Sequence, residues 1–268
     1  MTASKSETGC CLTVAGSDSG GNAGVQADLR VFHDYGVHGC TVFAALTAQN
    51  PSGVSAIHSV PADFVAAQLD AVLGVYDIRA LKTGMLGDAS VVETVADRLA
   101  AHPGIAKVVD PVMIATSGAK LAADGAVASL KGRLLPLATL ITPNIPEAVA
   151  LCGREAAPDE LARELFGTYG CAVLVKGGHR PGADAVDVLC EGGEIREFAM
   201  PWVRDPVSTH GTGCSLAAAI AAELALGRGI SDAVAGAKRY VRAAIAGSRL
   251  VGPGCGVLGF VRREGAGR

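Results

Sequence analysis

Apolar residues come in short unbroken runs, set between longer Ala-rich stretches with helical spacing. Cys11-Leu-Thr-Val-Ala15 reads as a buried strand, followed by the glycine-rich run Gly16 to Gly24. Val25 to Tyr35 has the helical period, with Val25, Leu29 and Phe32 on one face. Cys40 to Leu46 is a strand candidate. Asp63 to Leu73 predicts a helix with Phe64, Ala67, Leu69 and Val72 as its apolar stripe. Strand-like runs recur at Ala80 to Thr83, Lys107 to Asp110, Thr139 to Thr142 and Ala172 to Lys176. The last three are stopped by Pro111, Pro143 and Gly177-Gly178. Asp88 is placed to cap a helix reaching Leu99. Val186 to Cys190 and Ile195 to Ala199, around Gly192-Gly193, predict a hairpin. Two apolar helices, Ser215 to Leu226 and Ser231 to Ser248, follow.

Strands of nearly continuous hydrophobicity, spaced by helices, predict an α/β fold: a mostly parallel sheet with helices on both faces. The sequence shows no linker, low-complexity tract or composition shift, which predicts one domain over residues 11–261, with short tails at 1–10 and 262–268. Ligands of such sheets sit beyond the carboxyl ends of strands. Gly16, Gln49, Met85, Asp110, Asn144 and Lys176 all fall at those ends, and the recurrence carries more weight than any one of them.

Composition removes several classes. Half of the 268 residues are apolar and 18% are charged, which argues against extensive disorder. The net charge of −3 and the 11 aromatics, 4% of the chain, give neither the basic excess nor the stacking surface of a nucleic-acid binder. No apolar run approaches the ~18 residues of a membrane span, and Met1 to Gly9 lack a signal-peptide core. A cytoplasmic setting with reduced thiols is the expectation. The eight Cys include no C-x-x-C pair, and the adjacent Cys10 and Cys11 cannot act as a standard chelating pair, so a zinc site is not expected. The 35 glycines are the outlier, and glycine is favoured where backbone turns sharply or approaches a ligand.

His210-Gly-Thr-Gly-Cys214 is the most specific stretch. Gly211 and Gly213 bare backbone amides, and the helix that follows adds its unpaired N–H groups and positive dipole end: a pocket for an anion, most naturally phosphate. The bland alternative is a glycine turn before a buried helix. Cys214 stands at that helix start, where the dipole favours thiolate and a base or nucleophile role; a small buried thiol is the ordinary alternative. Gly16 to Gly24 fits neither the dinucleotide fingerprint nor the P-loop, and shows only that backbone closely approaches something. Asp28, in the next helix, reads equally as a dipole partner. Asn144-Ile-Pro-Glu147 has the spacing of a capping box, and Glu147 also stands where it would serve Mg²⁺ or water. Lys176-Gly-Gly-His179 ends a strand with a cation, as an anionic ligand would require.

Taken together, the segments resemble the hydroxymethylpyrimidine/phosphomethylpyrimidine kinases of thiamine biosynthesis, in the ribokinase-like superfamily. The likeness runs from Leu12 to Phe260. Its markers are Ala15-Gly-Ser-Asp-Ser19 with Gly20-Gly-Asn-Ala-Gly24, Gln26-Ala-Asp-Leu29, Ala45-Leu-Thr-Ala-Gln-Asn50, Lys82-Thr-Gly-Met85, Asp110-Pro-Val-Met113, Thr142-Pro-Asn-Ile-Pro-Glu147, Lys176-Gly-Gly-His179 and His210-Gly-Thr-Gly-Cys214. The resemblance implies a three-layer sandwich with a small substrate flap, ATP and Mg²⁺, and a homodimer. It implies two successive phosphorylations at one site: of 4-amino-5-hydroxymethyl-2-methylpyrimidine, then of its monophosphate. By position, Gly16, Asp28, Gln49, Met85 and Val112 would line the pyrimidine pocket. Lys176 and Thr209 to Gly213, including Thr212, would face the phosphates, with Lys238 near the nucleotide. Asp110, Asn144 and Glu147 would sit near Mg²⁺ through water, and Cys214 would act as catalytic base beside the Gly211 and Gly213 amides. The chain departs from the family at Asn22, within Ser19 to Gly24, and many superfamily members carry Asp where Cys214 stands.

Pyridoxal kinase, on the same fold with the same Cys, is the competing activity. Gln49 favours the aminopyrimidine, because an amide both donates and accepts against a ring nitrogen and its amino group. A catalytically idle pyrimidine-binding protein and a Cys-dependent hydrolase using His210 are further alternatives.

Overall fold

The computed structural model describes residues 9–51, 53–113, 125–178 and 184–259. The buried strand β1 (Cys10–Gly16) leads into α1 (Gly24–Asp34), and β2 (His38–Asn50) returns as the long antiparallel arm β3 (Gly53–Ser59). Then come α2 (Ala62–Leu73), β4 (Ile78–Thr83), α3 (Ala89–Ala100), β5 (Ala106–Val109) and α4 (Ala126–Ser129), which continues irregularly to Leu137. Next are β6 (Leu140–Ile141), α5 (Ile145–Cys152), α6 (Pro158–Tyr169), β7 (Ala172–Val175) and the hairpin β8 (Asp184–Glu191) and β9 (Glu194–Pro201). Helices α7 (Thr212–Ala225) and α8 (Ile230–Ala246) precede a small hairpin, β10 (Arg249–Gly252) with β11 (Cys255–Val257).

Nine strands form one sheet in the order β3-β2-β1-β4-β5-β6-β7-β8-β9. The six strands from β2 to β7 are parallel, and antiparallel arms finish both edges. One face packs its apolar side chains against α2, α3, α5 and α6; the other packs against α1, α7 and α8. The expected three layers are therefore present. In α7 a run of Ala217, Ala218, Ala219, Ala221 and Ala222 is fully buried, so this helix can lie close against β4 and β5. That close approach fixes where its amino terminus points.

Several expectations needed correction. Cys10, assigned to the tail, opens β1 and is buried. The stripe of α2 is Val65, Ala66 and Leu69, with Val72 partly buried; Phe64 is 60% exposed. Phe64 and Ala67 fall outside the 65/69/72 spacing that faces β2. Asp88 occupies the N-cap position of α3 but its side chain makes no capping bond.

Candidate active site

The connections from β1 and β4 leave in opposite directions, β1 towards β2 and β4 towards β5. A crevice opens at such a switch point, beyond the carboxyl ends of the strands. The principal pocket lies there. Gly16 and Asp18 reach it from the β1 loop, Gln49 from β2, and Lys82 and Met85 from the end of β4. Asp110 and Val112 follow β5, Asn144 and Glu147 start α5, Lys176 follows β7, and Gly211 to Cys214 open α7. Eleven positions singled out from sequence thus converge: Gly16, Gln49, Met85, Val112, Asp110, Asn144, Glu147, Lys176, Gly211, Thr212, Gly213, and with them Cys214 as the twelfth.

Two glycines meet close neighbours, but only at Gly211 is the neighbour rigid backbone; at Gly16 it is the flexible end of Met85. A Cβ on Gly16 would come 2.3 Å from the Met85 methyl carbon. Gly211 has φ +84°, and a Cβ there would fall 1.8 Å from the Asn22 carbonyl oxygen. The two glycine-rich loops therefore touch. Asp18 ties the first loop down: Gly20 donates to its Oδ1 at 2.8 Å, and Asn22 and Ala23 donate to its Oδ2 at 2.9 and 2.8 Å. His210 Nε2 stands 3.6 Å from the same oxygen, at ion-pair range. Burial pushes the Asp18 carboxyl up, but His210 and the three amides outweigh it and hold it below the usual carboxylate value.

Three residues expected at the ligand are elsewhere. Asp28 is fully buried beneath the pocket, where its Oδ2 accepts from Thr13 Oγ1 at 2.6 Å and Lys82 Nζ at 2.8 Å. A carboxylate on the inner face of α1 is turned to the sheet and supports Lys82 instead of touching the pocket. Lys238 is held by Asp187 at 2.5 Å, and the other Asp187 oxygen accepts the Gly177 N–H at 2.9 Å. That pair braces the strand end carrying Lys176. Thr209 is exposed outside the pocket, and its carbonyl accepts from the Thr212 hydroxyl at 3.0 Å. His179 lies outside the described residues.

Asn144 and Glu147 form the full capping box, with both reciprocal bonds at 2.8 Å. The same Glu147 lines the pocket. Burial, the largest influence, and nearby Asp110 raise its carboxyl to about 7 although Lys176 lowers it. Lys176 Nζ donates to Asp110 Oδ1 at 2.7 Å, and the Thr142 hydroxyl reaches that oxygen at 3.2 Å. Burial opposes the Lys176 ammonium, but Asp110 and Glu147 keep it protonated above the ordinary lysine range. Lys82 is held charged in the same way, mainly by Asp28, with Cys214 and Asp110 adding to it.

The Cys214 thiol departs from expectation. Burial raises it above its ordinary value, and Asp28 and Asp110 add to that; Lys82 and the Gly24 amide lower it without prevailing. Loss of water around the sulfur outweighs the helix dipole, so the resting group is a thiol. The contact of the His210 ring is with Asp18, which gives no Cys–His pair for a hydrolase.

Sequence reasoning left Lys82 and Asp18 without roles and gave His210 one only in the hydrolase alternative. Lys82 carried a usable signal: a lysine inside an otherwise apolar central strand needs a buried counter-charge, and Asp28 was available in the flanking helix.

Comparison with known proteins shows the family of the chain. The family model described as phosphomethylpyrimidine kinase matches residues 18–259. The chain belongs to the phosphomethylpyrimidine kinase family. A hydroxymethylpyrimidine/phosphomethylpyrimidine kinase of Rhizobium meliloti is 46% identical, over 96% of this chain and 98% of that protein. The thiamine biosynthesis bifunctional protein ThiED of Geobacter sulfurreducens is 47% identical over 94% of the chain, which spans about half (52%) of that longer protein. Among solved structures, a phosphomethylpyrimidine kinase from Clostridium difficile superposes with TM-score 0.77 at 37% identity, covering 87% of this chain and 97% of its own. An ADP complex of Bacillus subtilis pyridoxal kinase gives TM-score 0.85 at 32% identity, with 94% and 96% covered. Among the described residues of this chain no helix is long and apolar enough to cross a membrane.

Proposed function

We propose that this chain phosphorylates 4-amino-5-hydroxymethyl-2-methylpyrimidine with ATP and then phosphorylates the monophosphate to the diphosphate, at one site. The observation that carries the reading is the convergence of a glycine-lined amide nest, two lysines, three carboxyl groups (Asp18, Asp110 and Glu147) and the neutral amides of Gln49 and Asn144 on one switch-point pocket. Phosphoryl transfer needs positioning and charge stabilisation more than covalent chemistry. The amides of Gly211 to Cys214 receive the moving phosphoryl group, and Lys176 neutralises its charge. Gln49 reads the pyrimidine edge, while Gly16 and Met85 form the pocket wall.

Asp110 and Glu147 set two carboxyl groups around one ammonium, Lys176. Hard oxygen donors with a negative balance fit Mg²⁺, directly or through water. When bound there, Mg²⁺ would supply charge neutralisation at the phosphates. The buried Glu147 carboxyl, raised to about 7, is a group that such a cation would stabilise as carboxylate.

Cys214, a thiol at rest, first gives its own proton to solvent, and the thiolate then takes the proton of the alcohol in the first step. The second step starts from a phosphate already largely ionised near neutral pH, and needs little base help. The resemblance adds a homodimer to the proposal; the unbroken composition adds a single domain, opening at Cys10, and the cysteine usage a cytoplasmic setting.

The test is ATP consumption with the aminopyrimidine alcohol, with products resolved as mono- and diphosphate, beside the same assay with pyridoxal. Faster turnover of pyridoxal would favour the competing activity. Gln49→Leu leaves polar substrate atoms unpaired, at about 1–3 kcal/mol, so affinity for the aminopyrimidine falls while ATP affinity holds. Unaltered aminopyrimidine affinity would remove Gln49 from the site.

A further inference from the structure

At the end of β1 opposite the pocket, the parallel register sets Cys10 beside His38 and Leu12 beside Cys40. Cys10 and Cys40 face the same core layer, and their Sγ atoms are 3.8 Å apart. The His38 side chain is exposed, and its ring stacks on Tyr76 with centroids 5.5 Å apart and planes 16° apart. One ligand atom from each of Cys10, His38 and Cys40 lies within 4.8 Å of the other two. Cys11, next in sequence, points to the other face, where its Sγ reaches the Ala221 carbonyl at 3.7 Å.

Two thiolates on a tetrahedral zinc, each with Zn–S of about 2.3 Å, stand about 3.8 Å from one another. A disulfide needs sulfurs about 2.05 Å apart. We propose that Cys10, Cys40 and His38 form a binding site for a thiophilic divalent cation of the zinc class, with water in the fourth position. Two metal–sulfur bonds and one metal–nitrogen bond form, both thiols release a proton, His38 binds as neutral imidazole, and no electron moves. The absence of a C-x-x-C spacing conceals such a site, because strand register and not local sequence assembles it. The six-residue step from Cys10 to Gly16 spans about 20 Å of strand, so the cation clips the start of β1 to β2 without entering the pocket.

The probe is Co²⁺, added to the reduced full-length chain. The expected result is a single tightly bound cobalt, with a thiolate-to-cobalt charge-transfer band and tetrahedral d–d absorption. Cys10→Ala/Cys40→Ala abolishes both, with far-ultraviolet circular dichroism showing that the variant is folded. His38→Gln, at an exposed position, weakens binding by on the order of tenfold or more. Cys214→Ala leaves the band intact. The proposal fails if the folded parent shows no thiolate band, if the band survives the double substitution, if His38→Gln binds like the parent, or if the two sulfurs are recovered as a disulfide under reducing conditions.

Discussion

Two lysine–aspartate pairs underlie the pocket, alike in length and unlike in wetness. Lys82 and Asp28 meet at 2.8 Å with both side chains 0% exposed. Lys176 and Asp110 meet at 2.7 Å with 14% and 2% exposed. In the dry pair neither partner can exchange the other for water, so the pair is an anchor under β4 and α1. In the wetter pair the ammonium faces the pocket beside Gly213, and an arriving anion can share it. The same chemistry is thus sealed in one place and open to an arriving anion in the other, and access to solvent separates the two.

Breaking the dry pair should give the largest effect. Asp28→Asn leaves Lys82 buried without its counter-charge, and unfolding free energy in urea should fall by about 3–5 kcal/mol. Adding Lys82→Met should recover much of that loss. An unchanged midpoint in the single variant would show that the pair is not an anchor. Lys176→Met should invert the pattern: kcat drops by roughly 10²–10³-fold, while the urea midpoint moves less than for Asp28→Asn. A larger stability loss at Lys176 would erase the distinction between the pairs.

Cys214, whose thiol Lys82 draws down and burial raises, reports on the dry pair from above. Cys214→Ala should slow phosphorylation of the alcohol by about 10²-fold, the low end for a base, and that of the monophosphate much less. Because the thiol is protonated at neutral pH, the parent's alcohol rate should rise with pH, and the Ala variant should lose that slope. Single-turnover rates for both substrates decide it; equal losses would make Cys214 a wall of the pocket. Cys214→Asp should recover part of the alcohol activity.

The smallest effect concerns Glu147 beside the wet pair. Its carboxyl rises from 4.5 to about 7 on folding, so the folded state binds that proton more tightly than the unfolded chain. Without Mg²⁺, stability should therefore decline as pH climbs from about 4.5 through about 7. Mg²⁺ competes with the proton, so its affinity should increase over the same window. Glu147→Gln keeps the capping geometry; it should melt near the parent temperature, lose both pH slopes and turn over more slowly. A Gln variant with full activity across a magnesium titration would leave Glu147 as a cap alone.

Burial explains what could be read in advance. Strands covered on both faces, such as Leu12 to Ala15 and Val173 to Val175, are almost purely apolar and announce themselves. The arm of β2 beyond Leu46 and all of β3 are largely exposed, so Thr47 to Asn50 and Gly53 to Ser59 carry no such signal. Helix α6 was legible but unread: Pro158 at its first turn, Asp159 and Glu160 after it, and Gly170 in the left-handed conformation at its end are ordinary boundary signs. In the site, residues at strand ends and helix starts were legible because topology alone delivers them to the crevice. Asp28 and Lys238 were misplaced because a charge near a motif says nothing about whether a buried partner, Lys82 or Asp187, claims it first.

The contact of Gly211 with the Asn22 carbonyl has a thermodynamic side. The loop at Gly211, proposed for the phosphates, and the loop at Asn22, proposed for the pyrimidine side, cannot shift independently, since any displacement of one either clashes with the other or opens a gap. Each ligand then meets a surface whose shape the other has helped to set. Coupling of this kind is reciprocal: whatever factor the nucleotide contributes to pyrimidine affinity, the pyrimidine returns to the nucleotide, and a side chain added at position 211 would uncouple the two before it abolished either.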